Sequence, residues 1–154
     1  MATAAARADR ALSDPELAAW RGLLRSHSAL VKTLDAELEA THGLALTAYE
    51  VLHHLARADR GRLRMRELAE SVLLSRSGLT RMVDRLERDG LVVRGLCEQD
   101  ARGSFAVLTD AGRELYRRAR PTHLAGVRRH FVDRFSAGEL AQLTRFWQRL
   151  EEAR

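Results

Sequence analysis

The sequence predicts a mainly α-helical fold with one small β-hairpin, on three observations. Apolar residues recur at steps of three and four over most of the chain, the spacing of one face of a helix. Serine or threonine stands at the start of several of these stripes, where a side-chain oxygen can cap free backbone amides. After Gly90 the period changes: Leu91-Val92-Val93 and Phe105-Ala106-Val107-Leu108 are short and partly β-branched. The polar run Glu98-Gln99-Asp100-Ala101-Arg102-Gly103-Ser104 separates them, so the pair reads as a two-stranded hairpin with a charged tip.

The elements follow in order. Ser13-Asp14-Pro15-Glu16 opens a long first helix, with a cap, a first-turn proline and a glutamate behind it. Its stripe is Leu17, Trp20, Leu24, His27, Val31, Leu34 and Leu38, and Gly43 supplies the stop. Thr47-Ala48-Tyr49-Glu50 reads as a capping box for a second helix to about Ala58, with Val51, Leu52 and Leu55 inward. Asp59-Arg60-Gly61 breaks it. A third helix covers roughly Arg66 to Leu73, with Met65, Leu68, Ala69 and Val72 at helical spacing. Ser75 caps a fourth, which ends at Gly90 and turns Leu79, Met82, Val83 and Leu86 inward. Thr109 caps a fifth helix. Pro121 inside it predicts a kink between Arg117 and Pro121, and Val127, Phe131 and Phe135 continue its apolar face. Ser136-Ala137-Gly138-Glu139 is a further capping box, opening a last helix with Leu140, Leu143, Phe146, Trp147 and Leu150 on one face.

With 154 residues, the chain suits one domain with a real core and is marginal for two. Aromatics are only 5%, so Leu, Val and Ala must fill most of that core. The lone Cys97 cannot form an internal disulfide. Met1 to Leu12 lacks the continuous apolar stretch of a signal peptide, and no run approaches a membrane span, so the expectation is a soluble cytoplasmic protein without a membrane partner. Lys+Arg number 26 against 21 Asp+Glu, and every cation but Lys32 is arginine. Composition alone favours solvated charged faces. A surface for phosphates and base edges, which the planar fork of arginine suits, needs a location before it can be argued.

Met65 to Gly90 supplies one. A short helix, the tight segment Leu73-Leu74-Ser75 and a longer helix have the helix-turn-helix arrangement, whose second helix enters the major groove. The outward positions of that helix are Arg76, Ser77, Thr80, Arg81, Asp84 and Arg85. Small hydroxyl side chains permit close approach, arginines reach guanine edges or phosphates, and the helix N-terminus favours phosphate. An ordinary amphipathic helix has the same pattern, and local charge does not decide between them. The basic excess lies elsewhere, at Arg57, Arg60, Arg62, Arg64 and Arg66, and at Arg113, Arg117, Arg118 and Arg120. The hairpin shifts the balance. Helix, helix, strand, tip, strand is the winged form of the motif, and an arginine at the tip can enter an adjacent minor groove.

The run Glu67-Leu68-Ala69-Glu70, then Leu74 to Arg94, then Asp100-x-Arg102-Gly103, then Leu108-Thr109-Asp110-Ala111-Gly112 resembles the MarR family of bacterial transcription regulators in order and spacing. The resemblance implies a winged helix-turn-helix protein acting as a homodimer whose first, fifth and sixth helices interlock. It implies a recognition helix at Ser75 to Asp89, a wing whose Arg102 reaches DNA with Asp100 supporting its shape, and operator binding that a small molecule often weakens. Ala101 departs from the pattern, since many relatives have a second basic residue there.

Other constellations are weaker. Some relatives sense peroxide through a cysteine in the first helix, but this chain has none there, and Cys97 reads as a small filler or a bystander near the wing. His53 and His54 are adjacent and point apart, while His123 and His130 share a face without a third ligand, so no metal site and no cofactor is expected. No phosphate loop, nucleophile elbow or carboxylate pair is present, so an enzyme is not expected. A ligand pocket, by resemblance, would lie between the dimer helices and the winged part, with Trp20, His27, Tyr49 and His53 as walls or, equally, as core.

The expectation is therefore a single domain over 1–154, with a winged helix-turn-helix at 47–108 and dimerisation helices at 13–42 and 110–153. Its function would be a ligand-responsive repressor that binds a palindromic operator in double-stranded DNA as a homodimer. Ser75, Arg76, Ser77, Thr80, Arg81, Arg85 and Arg102 would touch DNA, and Asp100 would support the wing. The alternatives are a protein-interaction module on the same scaffold and an architectural DNA-binding protein without operator specificity; Ser77 and Thr80 on the outer face argue against the latter.

Overall fold

The computed structural model describes residues 11–72, 74–96 and 104–152. The order is α1 (Asp14–His42), α2 (Leu46–Arg57), a 3-10 turn (Asp59–Gly61), β1 (Arg62–Arg64), α3 (Met65–Ser71), α4 (Arg76–Arg88), β2 (Val92–Leu96), β3 (Ser104–Leu108), α5 (Asp110–His130), a second 3-10 turn (Val132–Arg134) and α6 (Ala137–Glu151). The chain divides into two compact units, 1–33 and 34–154.

The first unit contains the beginning of α1. The Ser13 backbone amide and hydroxyl both donate to Glu16 Oε2, each at 2.7 Å, as the sequence predicts for this start. Its apolar stripe is open: Trp20 is 54% exposed and Leu24 49%. Leu38 is the one residue of α1 that is buried, and it belongs to the second unit.

The core of the second unit is aliphatic, as the scarcity of aromatics requires. Leu52 and Leu55 of α2, Leu68 of α3, Leu79, Val83 and Leu86 of α4, Val92 of β2 and Ala106 of β3 are fully or almost fully buried together. The expected capping box at Thr47 is not what starts α2. The helix begins at Leu46, with Ala45 in the cap position, so Thr47 lies inside it, and Asp35 Oδ1 of α1 accepts the Leu46 amide at 2.7 Å. A carboxylate supplied by α1 therefore satisfies an orphan amide in the first turn of α2. Arg60 (φ 52°) and Gly61 (φ 68°) make the break after α2.

The sheet has three strands, not two, in the order β1-β3-β2 and antiparallel throughout. Arg62, Leu63 and Arg64 pair with Val107, Ala106 and Phe105. The expected basic run is thus partly a strand, and the hairpin strands reach further, to Leu96 and from Ser104. The third helix is shorter than expected, Met65–Ser71, with its apolar positions Leu68, Ala69 and Val72 buried.

Thr109 locks the base of the hairpin. Its hydroxyl donates to Gly90 O at 2.8 Å and accepts the Gly112 amide at 3.0 Å, capping α5 as predicted. Gly112 has a steric reason: a Cβ there would run into the Leu91 carbonyl oxygen and come within 2.8 Å of Leu108 Cδ1. Helical backbone continues without interruption through Pro121. The helix ends at His130, so Phe131 and Phe135 lie beyond it, their rings 5.3 Å apart, rather than extending its face. Ser136 and Glu139 form the predicted capping box of α6.

Candidate nucleic-acid interface

The helix-turn-helix pair is α3 and α4, and the start of α4 is set by Ser75, whose Oγ accepts the Gly78 amide at 3.1 Å. With Leu79, Val83 and Leu86 buried, the positions between them must face out. Ser75, Arg76, Ser77, Thr80, Arg81 and Arg85 are all exposed, so the structure brings six predicted contact residues onto one uncovered face. The small side chains are held locally: Ser75 Oγ and Ser77 Oγ lie 3.3 Å apart, and the Thr80 hydroxyl donates to Arg76 O at 2.9 Å. Arg76, Arg81 and Arg85 make no ion pair among the described residues. Arg102, Asp100 and Cys97 lie outside the described residues.

Sequence reasoning missed the residue that organises the acidic side of this helix. Arg94 of β2 reaches across to α4, with Nη2 2.7 Å from Asp84 Oδ1 and Nη1 3.3 Å from Glu87 Oε2. Its backbone amide donates to Glu87 Oε1 at 3.2 Å, and Nη2 lies 3.5 Å from Thr80 O. Nothing periodic links a residue on a strand to one seven positions earlier on a helix, so no sequence signal marks this contact.

A second basic surface lies on the outer face of the sheet. Arg62 and Arg64 stand on alternate positions of β1, and their guanidinium carbons sit 5.2 and 5.4 Å from the Phe105 ring centroid. Cation–π contact holds such side chains over the ring.

The comparisons with known proteins fall on these same elements. Residues 42–103 match the MarR family, a segment running from the end of α1 through α4 and β2. AbsC, a MarR family transcriptional regulator from Streptomyces coelicolor, is 38% identical with a TM-score of 0.88, over 94% of this chain and 97% of that one. Sco3205, another from the same organism, solved in complex with DNA, is 37% identical with a TM-score of 0.89, over 94% and 91%. The homoprotocatechuate degradative operon repressor of Escherichia coli is 32% identical over 67% of this chain and 68% of its own length. The chain belongs to the MarR family. It spans less of some other curated relatives, in one case 57% of their length.

Of the residues expected to wall a ligand site in this MarR-family chain, Tyr49 and His53 lie on α2, in the second unit. Tyr49 is buried in the core, its ring 4.5 Å from His123 and 5.6 Å from Tyr116. His53 Nδ1 shares a 2.9 Å hydrogen bond with the Tyr116 hydroxyl. Burial, with Tyr116 alongside, pushes the Tyr49 hydroxyl up to about 12. Burial also lowers His53, helped by His54 and Arg57, and lowers His54 and His123. These histidines are thus held toward the neutral form. Trp20 and His27 lie in the first unit, both exposed. Tyr116 and His123, on α5, were missed because tertiary packing alone carries them to α2. His130 goes elsewhere: its Nε2 lies 2.7 Å from Glu37 Oε1, which also accepts from Arg129 Nη2 at 2.8 Å. The hydrogen bond from His130, ahead of the contribution of Arg129, holds the Glu37 carboxyl below its usual range. Among the described residues no group of histidine, cysteine and carboxylate side chains could hold a metal ion, and no helix is long and apolar enough to cross a membrane.

Proposed function

We propose that this MarR-family regulator binds a palindromic operator in double-stranded DNA as a homodimer and represses transcription until a small molecule weakens binding. The observation that carries the reading is the outer face of α4, where Arg76, Arg81 and Arg85 stand exposed beside Ser77 and Thr80. A helix capped at Ser75 and edged with small hydroxyls can seat its N-terminal half in a major groove, with the arginines on base edges or phosphates. Dimerisation is supported by apolar residues without cover, Phe146 at 46% and Leu150 at 59% exposure on α6, and Trp20 and Leu24 on α1. A two-fold dimer reads two half-sites, so the operator should be palindromic. The Escherichia coli relative is an operon repressor, which supports repression here. The wing arginine Arg102 and its neighbour Asp100 enter as further contacts on the strength of the sequence.

The test is selection of duplexes from a random pool, followed by titration of the enriched sequence. A palindrome should emerge, bound by two chains. Arg81→Ala should then cost about 1–3 kcal/mol on the cognate duplex, and less on the others, if Arg81 reads a base. Enrichment of no sequence, with a steep salt dependence, would point to an architectural protein instead. Absence of any DNA affinity would leave a protein-interaction module.

A further inference from the structure

The recognition helix carries its own antagonists. Asp84 stands three positions after Arg81 and four before Arg88, the spacings at which side chains on a helix meet. Left alone, its carboxylate would draw Arg81 along the helix surface and away from DNA. Glu87, one turn further on, would add a second negative charge to a surface that must approach phosphates. In the structure both carboxylates are already occupied. Asp84 Oδ1 takes Arg94 Nη2 at 2.7 Å, and Glu87 chelates Arg94 with one oxygen on the backbone amide and the other on Nη1, at 3.2 and 3.3 Å. A planar guanidinium can satisfy two carboxylates at once, which an ammonium point charge does less well. Arg88, meanwhile, is turned onto the Asp84 backbone carbonyl at 3.3 Å rather than onto its carboxylate.

We propose that Arg94 is a positioning residue for DNA binding that acts by occupying Asp84 and Glu87, so that Arg81 stays free of Asp84 and the second carboxylate is offset. The guanidinium comes from β2, outside the recognition helix, and so does not compete for the same face. Arg94 touches no DNA in this role. The inference rests on the reading of α4 as the DNA-contacting helix, and the experiment separates the two.

Anisotropy titrations of the selected palindromic duplex are run across a salt series on wild type, R94Q, and R94Q/D84N/E87Q. Failure of the wild-type chain to prefer any duplex would fault the functional reading, not this inference. Given wild-type binding, R94Q should bind about tenfold more weakly, with a salt slope shallower by about one, because Arg81 is recaptured and one phosphate or base contact is lost. The triple variant has no carboxylates left to occupy, and should return to within about threefold of wild type and recover the slope. A purely structural role would lower the melting temperature of R94Q along with its affinity, whereas the proposed role weakens binding in a variant that melts like wild type. Wild-type affinity in R94Q overturns the proposal. So does a tenfold deficit in a triple variant whose circular dichroism and melting temperature match wild type. Should R94Q fail to fold, the same comparison is made between R94K and R94K/D84N/E87Q, since an ammonium keeps the charge but holds two carboxylates less well, and the same two outcomes decide.

Discussion

Two helices of similar length and pattern, α4 and α6, meet opposite fates in this chain. Both are amphipathic and both open on a serine cap. The apolar side of α4 is covered by its own chain, with Leu79, Val83 and Leu86 almost completely buried, and its polar side is exposed. In α6 no residue is buried, and Phe146, Trp147 and Leu150 are among the most exposed large apolar groups. The difference teaches that an amphipathic pattern states that a face needs cover and does not state who provides it. On α4 the informative face is the polar one, because the apolar one is explained. On α6 the reverse holds.

The sharpest way to break this contrast is through the core that α4 shares with α2. Leu55 is fully buried, so Leu55→Ala should cost about 2–5 kcal/mol by lost transfer energy and cavity formation, read from a urea unfolding curve. A cost under about 1 kcal/mol would mean that the winged core is less tightly packed than its burial implies. On the other side, Phe146→Glu with Leu150→Glu should leave the fold of one chain intact. It should raise the dimer dissociation constant on the order of a hundredfold, checked by analytical ultracentrifugation. If wild type already sediments as a monomer at micromolar concentration, the exposed face of α6 has another use.

Smaller effects sharpen the comparison at the caps and the aromatic cluster. Ser75→Ala removes the acceptor of the Gly78 amide and should cost about 0.5–2 kcal/mol of stability. It should weaken DNA binding beyond that, since the same turn begins the recognition face. The smallest expected effect is a pH dependence. His53, His54 and His123 sit below their ordinary value of 6.5, so on acidification the unfolded chain takes up protons before the folded one does. Their contribution to stability is therefore complete above about pH 6.5 and declines as pH falls from there through their folded values. Melting temperatures recorded from pH 7.5 to pH 5 should fall, and His123→Phe should flatten part of that fall. An unchanged slope in the variant would assign the acid sensitivity to other groups.

Much of this was legible in the residues. Ser75, Thr109 and Ser136 announced their helices because a cap is a local interaction, made within three or four residues of the serine or threonine itself. The buried faces of α2, α3 and α4 followed from period alone. The change of period after Gly90 located β2 and β3. The exposed polar face of α4 then followed by subtraction, since a helix with three buried positions has few choices for the rest. Thr47 was misread because the same capping pattern occurs inside helices, and what satisfies Leu46 is the distant Asp35.

What the sequence by itself determined is the list of elements, their caps and which side of each is apolar, all set by interactions between residues a turn or a pleat apart. Tertiary structure alone decided the rest. It turned Arg62-Leu63-Arg64 into a strand by giving it β3 to pair with, a ladder too short to show in three residues. It required glycine at position 112, where the first turn of α5 meets the Leu91 carbonyl. It gathered Tyr49 and His53 with Tyr116 and His123, residues more than sixty positions away on another helix. And it set Arg94 between Asp84 and Glu87, because the hydrogen bonds and charges that settle such a contact act through space, and sequence separation carries no record of them.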